Sequence, residues 1–275
     1  DLLLVFAVSV LAMIALLLLL YRTSLGLPTR AVSQQPVAAQ LCGIRLVRVN
    51  ALTFVITGLL GGLAGALIGA LLAAAAGLLA LGFPAAPGVG AALVVTLWVW
   101  LSGGLHLDGL ADTADAAAAG GDRSRHLAIM KDPRSGPAGV VAVVLLLLTK
   151  YAALASLLEA GRAASALLIA PIIGRALVVA AFLTTPYVRA GGLGDALAHQ
   201  HSRSTCQAAL GLSLLAILAL GGTAGALSLL LAGACFGLWR RWNLRRLGGF
   251  TGDPAGALVE TSEALVLIAG ATLLR

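Results

Sequence analysis

Apolar runs of roughly 15 to 30 residues recur along this 275-residue chain, each long enough, or nearly so, to cross hydrocarbon about 30 Å thick. Lipid offers no partner to a peptide N–H or C=O, so a segment that crosses must be a helix or a strand of a closed barrel. The runs are rich in Leu and Ala without period-2 alternation, which selects helices. With 60% hydrophobic and only 11% charged residues, an ordinary soluble domain is excluded. The expected fold is therefore all-α: a polytopic integral membrane helical bundle in contact with lipid.

The net charge of +7 does not imply a nucleic-acid partner, because the arginines lie between the spans, where topology uses them. Cys42, Cys206 and Cys235 show no pairing or metal-ligand spacing and are read as incidental. Residues 1–21 read as a first span. A removable signal is disfavoured there, since no positive charge precedes the run and no small-residue cleavage site follows. A start at Asp1 rather than Met fits a fragment.

Residues 22–50 form a basic connector. A Gly-rich run over 51–82 is read as one tilted or broken helix, its glycines suited to close packing. Further spans are expected over 89–102, 140–158 and 164–186. Residues 206–239 are long enough for two short helices broken near Gly221-Gly222, and 254–274 forms the last span. Placing the connectors 22–50, 105–137, 187–206 and 240–253 on the cytoplasmic side gathers fourteen of the eighteen Lys/Arg residues there. That arrangement requires about eight spans, with 207–239 crossing twice.

One stretch breaks the apolar pattern. Residues 103–139, GGLHLDGLADTADAAAAGGDRSRHLAIMKDPRSGPAG, hold five of the eleven acidic residues, whereas 2–107 hold none. Asp108, Asp112 and Asp115 stand at i, i+4 and i+7, within an arc of roughly 60° on a helix. Three carboxylates on one stripe repel one another, and a divalent cation is the natural compensation. Mg²⁺ takes few carboxylates, keeps water and recruits substrate phosphate. Asp122 is in reach of the same cluster by folding back. A solvated acidic helix end is the plainer alternative for the stripe.

Arg123, Arg125, Lys131 and Arg134 then supply the opposite sign, as phosphate ligands or as topogenic charge. Asp108 and Asp132 also fit turn positions, and His106 fits a metal ligand, a base or a hydrogen-bonded structural residue. A third acidic group, Asp253, Glu260 and Glu263, opens the last span; Asp253 before Pro254 reads as an N-cap. Glu260 and Glu263 are costly inside a membrane and need partners, with Lys150 and Arg175 as candidates. The HQH at 199–201 is read as an exposed loop. Clustered carboxylates with basic residues in a membrane point to phosphoryl or phosphodiester transfer, with proton-coupled transport as the rival.

The blocks GGLHLDGLADTADA, GGDRSRHLAIMKDPRSGPAG, TKYAAL and RRLGGFTGDPAGALVETSEA closely resemble the cobalamin synthase family, the adenosylcobinamide-GDP ribazoletransferases, over about residues 65–275. One departure is Ala116, where the family usually has Gly. The resemblance implies a multi-pass enzyme of the bacterial inner membrane with a cytoplasmic active site and Mg²⁺ as cofactor. It implies adenosylcobinamide-GDP and α-ribazole, or its 5′-phosphate, as substrates, and GMP as a product.

On that resemblance Asp108, Asp112 and Asp115 are the metal ligands, and Asp112, Asp115, His106, Lys131 and Arg134 are catalytic. Arg123, Asp132, Arg189, Asp253, Glu260 and Glu263 bind substrate. Residues 1 to about 69 resemble instead a permease subunit of branched-chain amino-acid ABC transporters, and 1–64 are assigned to that segment. The chain then reads as a hybrid joined near 58–70, with a transporter permease or an inactive fusion as the alternative function. Oligomeric state is left open, a homo-oligomer included.

Overall fold

The computed structural model describes residues 22, 65–82, 85–189, 194, 195, 198 and 203–273. The expected first span at 1–21, the rest of the connector at 22–50, the start of the Gly-rich run and the HQH at 199–201 lie outside the described residues. Among those described, the chain is helical throughout. Its helices are α1 (Gly65–Gly82), α2 (Pro87–Ser102), α3 (Leu105–Ala119), α4 (Arg123–Ile129), α5 (Pro137–Glu159), α6 (Ala163–Thr184), α7 (Arg203–Arg246) and α8 (Gly252–Thr272). Among the described residues the one extended pairing is an isolated parallel bridge between Tyr187 and Phe250.

The boundaries follow local chemistry. Pro87 and Pro137 open α2 and α5 in the first turn, where a missing N–H costs nothing. Gly103 and Gly104, both left-handed, end α2 and turn the chain through 89° into α3. α2 and α3 therefore form a bent pair, with the aspartates on its second arm. The expected N-cap at Asp253 is corrected: Thr251 is the cap, Asp253 lies inside the first turn of α8, and its carboxylate turns elsewhere.

Five helices (α1, α5, α6, α7 and α8) are long and apolar enough to cross a membrane, or six with α2 and α3 taken as one broken span. α7 is continuous over 44 residues except at Gly222, whose φ of 52° and ψ of −128° are non-helical. A Cβ on Gly225 would meet the carbonyl oxygen of Ile217 at 2.5 Å. Residues eight apart in a straight helix are separated by about 12 Å of rise. The chain therefore doubles back at Gly222, and α7 is a hairpin of two antiparallel limbs. The break sits where Gly221-Gly222 suggested it, and both ends of α7 return to the side that carries α3.

α8 is the most enclosed span and packs against α3, α5, α6 and α7. Its apolar core joins Leu154, Leu157, Leu167, Ile173 and Leu267 around Val266. The outward faces of α5 and α7 expose Val141, Leu145, Leu148, Leu215 and Leu230, as surfaces solvated by acyl chains do. α3 is pressed onto the first turns of α8. A Cβ on Gly109 would lie 2.7 Å from the carbonyl oxygen of Asp253, and one on Gly256 would lie 3.1 Å from that of His106. Both glycines are needed for this backbone approach.

Candidate active site

The stripe is real: Asp108, Asp112 and Asp115 all belong to α3, and the same end of the bundle gathers the loops before and after α4, after α6 and before α8. Asp108 is exposed, while Asp112 and Asp115 are half-buried. The Asp112 carboxyl is pushed up to about 6, by burial first and then by the charges of Asp108, Asp253 and Asp115, with Arg189 opposing them. A carboxyl raised in this way marks a surplus of negative potential that one arginine does not cancel.

Asp253 comes to this cluster from α8. Its carboxylate accepts a hydrogen bond from Arg189 Nη1 at 3.0 Å and from Thr251 Oγ at 3.1 Å. Arg189 is carried there by the Tyr187–Phe250 bridge, in which Val188 N–H donates to Phe250 O and Phe250 N–H donates to Pro186 O. Phe182, Tyr187, Trp239 and Phe250 stack around that bridge with ring centroids 5.1 to 5.9 Å apart. Trp239 Nε1 donates to the carbonyl of Pro254 at 2.6 Å, fixing the start of α8. The structure thus brings Arg189 and Asp253 to α3, as the sequence leads one to expect.

Other expected site residues take different places. Asp115 accepts the N–H groups of Gly136 at 2.6 Å and Gly139 at 2.8 Å, at the N-terminus of α5. Asp122 does not fold back onto the stripe. It caps α4, accepting from Arg125 N–H and Ser124 Oγ, and these bonds hold its carboxyl below the usual range. Asp132 is chelated by Arg134, whose Nε and Nη2 donate at 2.9 and 2.7 Å. That pairing holds Asp132 down to about 2. Arg134 remains 85% exposed. Lys131 and Arg123 are exposed too, and Arg123 reaches over the Gly248 turn.

Glu260 and Glu263, expected to meet substrate, lie inside the bundle at 3% and 1% exposure. Lys150 Nζ bonds Glu260 Oε2 at 2.7 Å and Glu263 Oε2 at 2.8 Å, and Arg175 Nη1 bonds Glu263 Oε1 at 2.5 Å. Two cations meet two anions, so the set is neutral, and the Trp98 ring covers Lys150 at 4.4 Å. His106 stands beside this set with its Nδ1 buried and unpaired. These glutamates tie α5, α6 and α8 together through ion pairs.

Sequence reasoning did not pick out Gly136 and Gly139 as the receptors of Asp115, nor Thr251 and Trp239 as the clamps on α8. The recurrent Gly in SGPAG, around a helix-starting Pro, was the available signal for the first pair. Ala116, the departure from the family pattern, is fully buried beside Met130 and Leu247, where its methyl packs without displacing the stripe.

Among the described residues no three His, Cys, Asp or Glu side chains converge to hold a metal ion unaided. The donors that do cluster, Asp108 and Asp112, are hard oxygen ligands in surplus negative potential. That suits a cation completed by water and phosphate, as Mg²⁺ usually is.

A cobalamin-5-phosphate synthase family model matches residues 49–271. An adenosylcobinamide-GDP ribazoletransferase of Pseudomonas fluorescens is 57% identical over 179 residues, covering 65% of this chain and 73% of the relative. The protein of that name from Pseudomonas savastanoi pv. phaseolicola is 51% identical over 203 residues, covering 72% and 83%. The one from Stutzerimonas stutzeri is 55% identical over 185 residues, covering 67% and 75%. No solved structure matches the chain. The expected likeness of residues 1–69 to a transporter permease is not borne out, and the family match begins at residue 49, inside that segment. The match spans every helix of the bundle but the last residue of α8, and with it the acidic stripe: the chain belongs to the cobalamin-5-phosphate synthase family.

Proposed function

We propose that this chain joins adenosylcobinamide-GDP to α-ribazole, or to its 5′-phosphate, giving adenosylcobalamin or its 5′-phosphate and GMP. The observation that carries this reading is the acidic stripe of α3 held against the Arg189–Asp253 pair, in a chain of this family. The reaction exchanges a phosphoanhydride bond for a phosphate ester. The ribose 3′-hydroxyl forms a new P–O bond to the cobinamide-linked phosphorus, the pyrophosphate P–O bond breaks, and the bridging oxygen leaves with GMP.

Asp108 and Asp112 would hold Mg²⁺, which when bound neutralises the pyrophosphate and the charge that develops on the leaving phosphate. Asp112 is suited to take the hydroxyl proton on the carboxylate oxygen that does not hold the cation. Arg123 and Lys131, exposed on the loops beside α3, bind phosphate oxygens, with Arg134 held close by Asp132. Arg189 binds substrate across the cluster while keeping Asp253 in place.

The site faces the cytoplasm of the bacterial inner membrane. The side of the bundle that carries α3 also carries Arg123, Arg125, Lys131, Arg134, Arg189, Arg203, Arg240, Arg241, Arg245 and Arg246, while the α5–α6 turn on the other side has Arg162. The exposed apolar faces of α5 and α7 sit in lipid.

The test is GMP release by the reconstituted chain from adenosylcobinamide-GDP and α-ribazole 5′-phosphate. Release that requires Mg²⁺ supports the reading; no release with both substrates and Mg²⁺ present overturns it.

A further inference from the structure

Asp115 lies one turn beyond Asp112 on the same stripe, yet its carboxylate is engaged differently. One oxygen accepts the N–H of Gly136, the cap of α5, at 2.6 Å, and the other accepts the N–H of Gly139, in the first turn, at 2.8 Å. These are donors a helix start leaves without an intrahelical partner. The α5 cap has no side-chain bond of its own, so a carboxylate from α3 does the work of a capping residue.

The fit is tight on both sides. A Cβ on Gly136 would stand 2.5 Å from Asp115 Oδ1. One on Gly139 would stand 2.5 Å from Asp115 Oδ2 and 2.8 Å from the Ala111 carbonyl oxygen. Only a residue without a side chain lets α5 start this close to α3. Charge-assisted bonds to two N–H groups at the positive end of a helix are among the stronger polar contacts a carboxylate makes.

The segment between the two partners, 116–135, carries Arg123, Lys131 and Arg134. Asp115 closes that segment into a loop whose two ends are pinned one helical turn from Asp112. Building on the transferase reading above, we infer that Asp115 is a positioning residue. It is a tether that sets the basic loop opposite Asp108 and Asp112, and it is not a ligand of the cation.

Asp115→Asn separates the two roles. The amide keeps the size but offers one acceptor oxygen, and its NH₂ opposes the second N–H donor. In the wild-type protein, reconstituted in lipid, hydrogen exchange of the Gly136 and Gly139 amides is expected to be slow. In Asp115→Asn the exchange of one or both rises about tenfold to a hundredfold, the loss of a charge-assisted bond. KM for adenosylcobinamide-GDP rises about tenfold, as loose positioning of several cations predicts, while the Mg²⁺ concentration at half-maximal rate stays within a factor of two.

Gly139→Ala attacks the same contact from the other side, and is expected to give the same exchange and KM changes. The double variant should be no worse than either single one. Fast exchange of both amides in the wild type, or unchanged exchange in Asp115→Asn, overturns the tether. So does a tenfold rise in the Mg²⁺ requirement, which would make Asp115 a ligand. The exchange measurement needs no turnover, so it stands even if the chain releases no GMP and the transferase reading falls.

Discussion

Lys150 is buried with two carboxylates that depend on its charge. Its ammonium is 3% exposed and sits 2.7 Å from Glu260 and 2.8 Å from Glu263, with Trp98 closing the remaining side. In Lys150→Met the packing volume is nearly kept, but two buried carboxylates are left with Arg175 alone, which reaches only Glu263. Removing one partner of a buried ion pair costs about 3–5 kcal/mol, because the other charge stays desolvated and uncompensated. A change of that size moves the melting temperature of a chain this long by about 2–4 °C per kcal/mol, or roughly 6 to 20 °C.

Thermal unfolding in detergent with lipid, followed by tryptophan fluorescence, measures it directly, since Trp98 stacks on the missing ammonium. The charge-balanced variant Lys150→Met with Glu260→Gln should recover more than half of the loss, because the remaining Arg175–Glu263 pair is neutral by itself. A single variant that melts within 2 °C of the wild type, or a double variant no better than the single, would refute the placement of these charges.

Four further outcomes follow from the site. Ala116→Gly, which restores the residue more usual in the family, should lower stability by about 1 kcal/mol, the helix propensity of the lost methyl, in a chemical denaturation curve. Because that methyl packs away from the aspartates beside Met130 and Leu247, turnover should be unchanged. The Mg²⁺ concentration at half-maximal rate should be flat above pH 7 and climb about tenfold per pH unit below about 6, because a proton on Asp112 competes with the cation. Without Mg²⁺ the same raised carboxyl makes the folded protein less stable as pH rises through about 4 to 6, since the folded state holds a proton that the unfolded chain has released. Arg189→Ala removes a charge that lowers Asp112, so the acid limb of the pH–rate profile should move to higher pH; a limb that stays put would separate Arg189 from the cluster.

How much of this was legible in the sequence depended on the kind of signal. Helix positions were, because apolar runs and their Pro and Gly punctuation are local: Pro87, Pro137 and Gly222 mark boundaries that the chain shows by itself. The stripe on α3 was legible for the same reason, being a matter of spacing. Pairings across the bundle were not. Nothing local distinguishes Asp115, turned to Gly136, from Asp112, which feels the charges of Asp108, Asp253 and Arg189, since both sit on one face and are half-buried. The sequence shows that Glu260 and Glu263 need partners and offers Lys150 and Arg175. That they form a closed neutral set required the distances. The N-cap expected at Asp253 was lost to Arg189, a competitor brought in by a β-bridge that no periodicity announces.

The most direct test compares Mg²⁺ titrations of GMP release by the wild type and by Asp112→Asn, both reconstituted in lipid with adenosylcobinamide-GDP and α-ribazole 5′-phosphate. The acidic stripe of α3 as the reacting centre predicts saturable, Mg²⁺-dependent release in the wild type. In Asp112→Asn it predicts a rate lower by at least about a hundredfold, with normal melting. Full activity in Asp112→Asn at the same Mg²⁺ concentration would contradict it.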